Sequence, residues 1–256
     1  MTLFPDMIEG FIKQSIVKRA IEKGAVEIEI INMRDFALDA YGTVDDRPYG
    51  GGAGMVLRVD VVKKAIDTVL LKNSSANLNK EDLKIVLTSA KGKQYNQRKA
   101  EELAKLKHVV LLAGHYEGFD ERILEYVDEE VSLGDFVMTG GEITSVAIMD
   151  SVVRLVPGVL KKNDATEQES FFEITLDRVI EVIGETEQLK DLKKRGILRV
   201  QLLEYPHYTR PSVFDNQQVP SILMEGNHAE IERWRIREAY RETVEKRPDL
   251  LDKLQK

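Results

Sequence analysis

LKIVLTSA (83–90) and HVVLLAG (108–114) are apolar almost without interruption, and each stops at small residues. A strand exposed on one face alternates apolar with polar; a continuous run needs apolar cover on both faces. Two such runs in one chain therefore constrain it to a buried sheet flanked by helices. A third stretch, VSLGDFVMTGGE (131–142), is nearly as apolar but carries Gly134 inside it and Gly140-Gly141 at its end.

The intervening segments have helical spacing. Residues 8–23 place Ile8, Phe11, Ile12, Ile16 and Ala20 on one face, with Gly24 as a stop. VEIEIINM (26–33) alternates as a strand does. Residues 60–71 read as a helix with Asp60 as N-cap, followed by a polar loop, and NQRKAEELAKLK (96–107) as another helix. Residues 142–155 read as a buried helix stopped before Pro157-Gly158. Alternating strands and helices predict an α/β fold with a largely parallel sheet.

Three loops then sit at the apparent carboxyl ends of buried strands: TSAKG (88–92), AGHYEG (113–118) and SLGDFVMTGGE (132–142). In open parallel sheets that edge is where ligands bind. Each glycine alone reads as a turn; three glycine-bearing loops on one edge read as a ligand site. None is a dinucleotide fingerprint or a P-loop. Lys91 and Lys93 are the nearest cations, so the loops offer apolar side chains and backbone, as suits a flat heterocycle such as adenine.

Composition narrows the class. The 256 residues include no cysteine, which excludes disulfides, thiolate metal sites and a thiol nucleophile. No apolar run approaches a membrane span, and the N-terminus lacks the basic region of a signal peptide, so a cytoplasmic protein with no membrane partner is expected. The net charge of −7 argues against a uniformly nucleic-acid-coated surface. Between 190 and 210, however, six basic residues face two acidic ones. That run is either a solvated face or an RNA contact.

TVDDRPYGGGAGM (43–55) is either a mobile solvent loop or an ordered loop approaching a bulky partner. LLEYPHYTRP (202–211) interleaves aromatic and basic groups, which suits base stacking with phosphate contact. GNHAEIERWRIREAYRETVEKRP (226–248) reads as a helix carrying Arg233, Arg235, Arg237 and Arg241, with Trp234 as a core anchor and His228 as a cap or phosphate contact. The expected organisation is a catalytic domain over 1–160, a linker over 161–201, and a small helical domain with a basic face over 202–256.

In order, VDDRPYGGGAGM, AGHYEGFDERI, SLGDFVMTGGEI, DSVVRLVPGVL, ESF, LLEYPHYTRP and GNHAEIERWR resemble the bacterial tRNA (guanine-N(1)-)-methyltransferase family, TrmD, of the SPOUT class. The resemblance spans nearly the whole chain. It implies an S-adenosylmethionine (SAM)-dependent enzyme that methylates N1 of guanosine 37 in tRNA, working as a homodimer. It also implies a SPOUT-type sheet with a deep trefoil knot, in which VSLGDFVMTGGE lines the cofactor pocket. The family is described as needing magnesium, although no metal-ligand spacing stands out in this chain.

Carried over by position, the cofactor contacts are Leu87, Thr88 and Ser89; Gly114, Tyr116, Glu117 and Gly118; and Ser132, Leu133, Gly134, Asp135, Phe136, Val137, Met138, Gly140 and Gly141. Substrate contacts fall on Asp46, Tyr49, Gly51, Gly54 and Met55, and on His207, Tyr208, Arg210, Asn227 and His228. Arg154 matches the family arginine suited to guanine O6. The proposed general base is an Asp before Ser-Phe; here Glu169 precedes Ser170-Phe171, with Glu167 its rival.

The chain departs from the family in four places. Ala90 and Thr144 replace prolines, and residues 173–200 are inserted between ESF and LLEYPHYTRP. The chain also opens at TLFPDM, so a short first strand is expected. Two other functions remain compatible: a SPOUT methyltransferase acting on another RNA, and a non-catalytic RNA-binding paralogue.

Overall fold

Both apolar runs are strands of one parallel sheet. The computed structural model describes residues 1–74, 79–160 and 169–252. They form two compact units, Met1–Asn163 and Asp164–Lys256.

The first unit opens with α1 (Pro5–Ile12) and α2 (Ser15–Glu22). The single helix expected over 8–23 is broken at Gln14, which is extended (φ −125°, ψ 158°). A short hairpin follows, β1 (Asp45–Asp46) with β2 (Val56–Leu57), and then α3 (Val59–Ser74). Because α3 starts at Val59, Asp60 lies inside its first turn instead of capping it. There its Oδ1 accepts from the Val61 N–H at 2.9 Å, and its carboxylate pairs with Arg58 at 2.6 Å.

The sheet comprises β3 (Leu83–Gln94), β4 (His108–Ala113) and β5 (Glu129–Ser132), in the order β4-β3-β5. Its helices are α4 (Gln97–Leu103) and α5 (Glu142–Val153). The period of two divides β3 between two cores. Ile85 and Leu87 face Val61, Val62, Ala65 and Ile66 of α3, together with Leu112 and Ile123. Val86 faces the other way, into Leu103 of α4, Val131 of β5 and Ile148 of α5. Burial on both faces is what continuous apolar strands require. A further layer packs Val17 and Ala20 of α2 with Val153 and Val159.

The alternating stretch 26–33 does not form a strand. Among the described residues its only pairing is a parallel bridge, Thr2 to Asn32, with Thr2 N donating to Ile31 O and Met33 N to Thr2 O. Met1 O in turn accepts from Ala113 N of β4 at 3.0 Å. The segment thus has two residues of backbone to pair with, too few for a ladder.

β3 runs four residues past its expected end. Thr88 and Lys93 both pair with Val131, and the register shifts between them. Gly92 permits the return: a Cβ there would stand 2.5 Å from the Val131 backbone.

In the second unit, β6 (Phe172–Thr175) pairs antiparallel with β7 (Arg199–Leu202), and α6 (Leu176–Ile183) and α7 (Glu187–Lys194) lie between them in sequence. Thr175 and Thr186 cap these helices, accepting from Arg178 N and Leu189 N. A small exposed hairpin, β8 (Val213–Phe214) and β9 (Gln217–Gln218), precedes α8 (His228–Lys246). Leu176, Val179, Leu189, Leu192, Val200 and Leu202 share one core with Ala239, Tyr240 and Leu251. This corrects the expected organisation. Residues 173–200, expected as an insertion in a linker, supply most of the buried core among the second unit's described residues, and the unit is mixed α and β, not purely helical. Of the expected linker, 161–168 lie outside the described residues.

Candidate active site

The carboxyl ends of β3, β4 and β5 open onto one cleft of about 260 Å³. Leu87, Thr88 and Ser89 line it from β3 itself; Gly114, Tyr116, Glu117 and Gly118 from the loop after β4; Ser132, at the end of β5, and Leu133, Gly134, Phe136, Val137, Met138, Gly140 and Gly141 from the loop that follows. Of the residues expected to contact a cofactor, Asp135 alone is off the lining, and it is exposed.

Hydrogen bonds hold the loops to one another. Gly141 N donates to Gly114 O at 2.6 Å, and His115 and Gly140 form an antiparallel bridge. Thr88 Oγ1 donates to Leu112 O at 3.0 Å, tying β3 to β4. The Ser132 hydroxyl donates to Gly134 O and accepts from Gly134 N, closing its own turn. Gly141 must be glycine, since a Cβ would lie 2.1 Å from Thr88 Oγ1 and 2.7 Å from Gly114 N. The crossing of loop on strand is at backbone distance.

Two of the charges that line the cleft beside Glu117 and Glu130 have ion-pair partners of their own. Lys91 pairs with Glu121 at 3.0 Å, and Asp120 with Arg122 at 2.6 Å, the guanidinium holding the Asp120 carboxyl below its ordinary range. The cleft presents backbone, hydroxyls and apolar side chains together with the carboxylates of Glu117 and Glu130, a set that fits a flat heterocycle better than a polyphosphate. Among the described residues no group of three or more His, Cys, Asp or Glu could hold a metal ion, so the side chains present do not fit a dedicated magnesium site.

Residues that the sequence reading passed over also build the site. His115 and Phe119 line the cleft. Glu142, the first residue of α5, is 1% exposed; its Oε1 accepts from Thr2 Oγ1 at 2.8 Å. An acid in the first turn of a helix is favoured by the helix dipole. The available signal was the acid following Gly140-Gly141 at a helix start.

The remaining expected residues have local roles. Met55 O accepts from Glu117 N, and Leu57 exchanges hydrogen bonds with Gly118 and Asp120, so the glycine-rich loop is pinned to the cleft's second wall. Gly54 lies against the Glu117 side chain. Asp46 and Gly51 are exposed, and Tyr49 is fully exposed at 101%. Arg154 is half-buried at the end of α5. In the second unit Glu169 is half-buried, with its carbonyl accepting from Phe172 N; Glu167 lies outside the described residues. His207 stands 3.4 Å from Glu204, and Arg210 is exposed. Tyr208 lies 6.3 Å, ring to ring, from Trp234, which is only half-buried and so is no deep core anchor. Asn227 caps α8 by accepting from Glu230 N, with exposed His228 next to it.

Residues 1–253 match the family model described as tRNA (Guanine-1)-methyltransferase TrmD. The chain belongs to this family. A tRNA (guanine-N(1)-)-methyltransferase from Citrifermentans bemidjiense is 44% identical over 253 residues, 98% of this chain and 88% of the other. Its counterparts in Dictyoglomus turgidum and Bacillus subtilis are 44% and 43% identical, with 99% and 98% of this chain covered and 89% and 90% of theirs. For this tRNA (guanine-1)-methyltransferase family member, among the described residues no helix is long and apolar enough to cross a membrane.

Proposed function

We propose that this protein is a SAM-dependent methyltransferase that modifies N1 of guanosine 37 in tRNA. One observation carries the reading: in a member of the TrmD family, three glycine-bearing loops converge on a single cleft at the carboxyl edge of a parallel sheet. Close backbone crossings at Gly92 and Gly141 support a knotted, SPOUT-type cofactor wall. The reading places the protein in the cytoplasm, where tRNA is found. Exposed Phe136, Val137 and Tyr49 are consistent with a homodimer whose second subunit covers the cleft.

When bound, SAM supplies a methyl group already made electrophilic by its sulfonium. Leu87, Leu133, Phe136 and Met138 would enclose its adenine, with the Gly114–Gly118 and Gly140-Gly141 backbones offering polar edges. Guanine N1 carries a proton at neutral pH. Glu169 is assigned as the base that accepts this proton as N1 bonds to the methyl carbon, while the electron pair of the breaking carbon–sulfur bond stays on sulfur. Arg154 is assigned to guanine O6, where negative charge grows as the proton leaves.

The test is methyl transfer from labelled SAM to a tRNA transcript with guanosine 37, beside a transcript with adenosine there. The expected product is N1-methylguanosine on the first alone. Methylation of both, or of neither, overturns the assignment.

A further inference from the structure

The second unit has a cavity of its own, of about 290 Å³. Phe172 and Ile174 of β6 and Ile236 of α8 give it apolar walls. Arg178, Glu173 and Glu232 edge it, and Tyr205 and Arg235 complete it.

Two cations line this cavity, Arg178 and Arg235; a third, Arg199, meets it only through the lining Glu173. Arg178 pairs with Glu181 at 2.7 Å and with Glu232 at 2.9 Å, and Arg199 pairs with Glu173 at 3.1 Å. Arg235 differs. Its guanidinium carbon lies 4.9 Å from the Tyr205 ring centre, and its Nε is buried without a hydrogen-bond partner among the described residues. A buried donor left unpaired is costly, because it gives up its hydrogen bonds to water. A planar cation resting on an aromatic ring with its buried Nε unpaired is arranged for something that brings an acceptor.

We propose that this cavity binds an unpaired guanine of the RNA substrate. This deepens the functional reading above and rests on it for the identity of the RNA. The chemistry selects the ligand. The apolar walls suit the face of a base, and a guanidinium plane is a surface on which bases stack. The carboxylates of Glu173 and Glu232 disfavour a bare phosphate at the same rim. Guanine alone among the bases pairs two adjacent acceptors, O6 and N7, which suit arginine, with the N1–H and N2–H donors that suit a carboxylate. Glu173, Ile174 and Arg178 come from the segment 173–200 that departs from the family's spacing, so the pocket is a feature of this chain's own second unit.

Trp234 is the only tryptophan, and its ring lies 6.3 Å from that of Tyr205. Its fluorescence therefore reports on this cavity. The full-length protein is titrated with the oligonucleotides UUGUU and UUUUU, for the wild type, Arg235→Lys, Arg235→Gln and Ile174→Phe. Arg235→Lys keeps the charge but loses the fork; Ile174→Phe fills the cavity and leaves the arginine in place. The expected result is a saturable change with UUGUU at least ~10-fold tighter than with UUUUU, lost at least ~10-fold in every variant that still melts cooperatively. Equal response to the two oligonucleotides, or unchanged UUGUU affinity in Arg235→Lys, overturns the proposal. The methylation assay is separate. A wild type that methylates tRNA but does not distinguish the oligonucleotides loses only this inference, and one that distinguishes them but methylates no tRNA loses only the functional reading.

Discussion

Glu142 Oε2 stands 3.9 Å from His115 Nδ1, and among the described residues neither atom has a hydrogen-bond partner. The two side chains meet beneath the cleft, where the second and third loops cross. Removing the carboxylate in Glu142→Ala leaves Thr2 Oγ1 without its acceptor and opens a void, so unfolding in urea should show a loss of ~2–4 kcal/mol. Glu142→Gln keeps an acceptor for Thr2 and offers an amide N–H towards His115, and should cost less than ~1.5 kcal/mol. Equal losses in the two variants would mean that the site needs the carboxylate itself, and that neither side-chain volume nor the acceptor for Thr2 carries the effect.

Gly141→Ala tests the contact between loop and strand. Its methyl group would collide with Thr88 and with the Gly114 backbone, forcing the first and third walls apart. SAM affinity measured by calorimetry should fall at least ~10-fold, which is about 1.4 kcal/mol. Affinity within twofold of wild type would show that the walls yield without cost.

Glu169→Ala should lower single-turnover methyl transfer by ~10²–10⁴ while SAM still binds. Glu169→Asp, one methylene shorter, should recover much of that rate. Arg154→Ala should cost ~10²–10³ in the same assay. A Glu169→Ala enzyme with the wild-type rate would move the base elsewhere, with Glu167 the first alternative.

An ion-pair network joins β3, α4 and β5. Lys84 and Lys99 both contact Glu102, and Lys99 also reaches Glu129 at 2.8 Å. The Lys84 and Lys99 ammonium groups hold the Glu102 carboxyl below its ordinary value. A folded-state pKa below the unfolded one stabilises the fold above the unfolded value, and this is lost as pH falls through the folded value. Wild type should therefore lose its advantage over Glu102→Gln between pH 5 and pH 3, the unfolded carboxyl titrating near ~4.3. Because Glu102 is substantially exposed, the difference at pH 7 should be at most ~1 kcal/mol. Parallel urea curves at pH 7, 4.5 and 3 check it.

Leu189→Ala should destabilise the second unit by ~2–5 kcal/mol, as expected for a fully buried leucine. An ornamental insertion would tolerate it within ~0.5 kcal/mol. Thermal unfolding followed by Trp234 fluorescence measures the difference.

What could be read from the chain followed the strength of its periodic signals. The apolar runs at 83–90 and 108–114 announce strands because both faces must be covered. The glycines of the three loops announce a site because close backbone approach needs them. Residues 26–33 alternate as a strand does, but alternation cannot reveal how much partner backbone is available. The core role of Leu176, Val179, Leu189 and Leu192 was hidden for a related reason. Their helices are short and rich in charge, and only the fold brings them against Ala239 and Tyr240 on α8. His115 and Glu142 were visible as letters, but their meeting depends on two loops crossing, which spacing along the chain does not encode.

The doubled pairing of Val131 bears on how a ligand would be received. Residues 89–92 bulge within β3, and the residues on either side, Thr88 and Lys93, are both fastened to Val131. A bulge so short, closed by its own sheet, has little freedom left to surrender on contact. Loss of chain entropy is one of the main costs of association, and here that wall has already incurred it during folding. Binding at this cleft should therefore show a small entropic penalty from the first loop, with any ordering confined to the exposed Phe136–Met138 side.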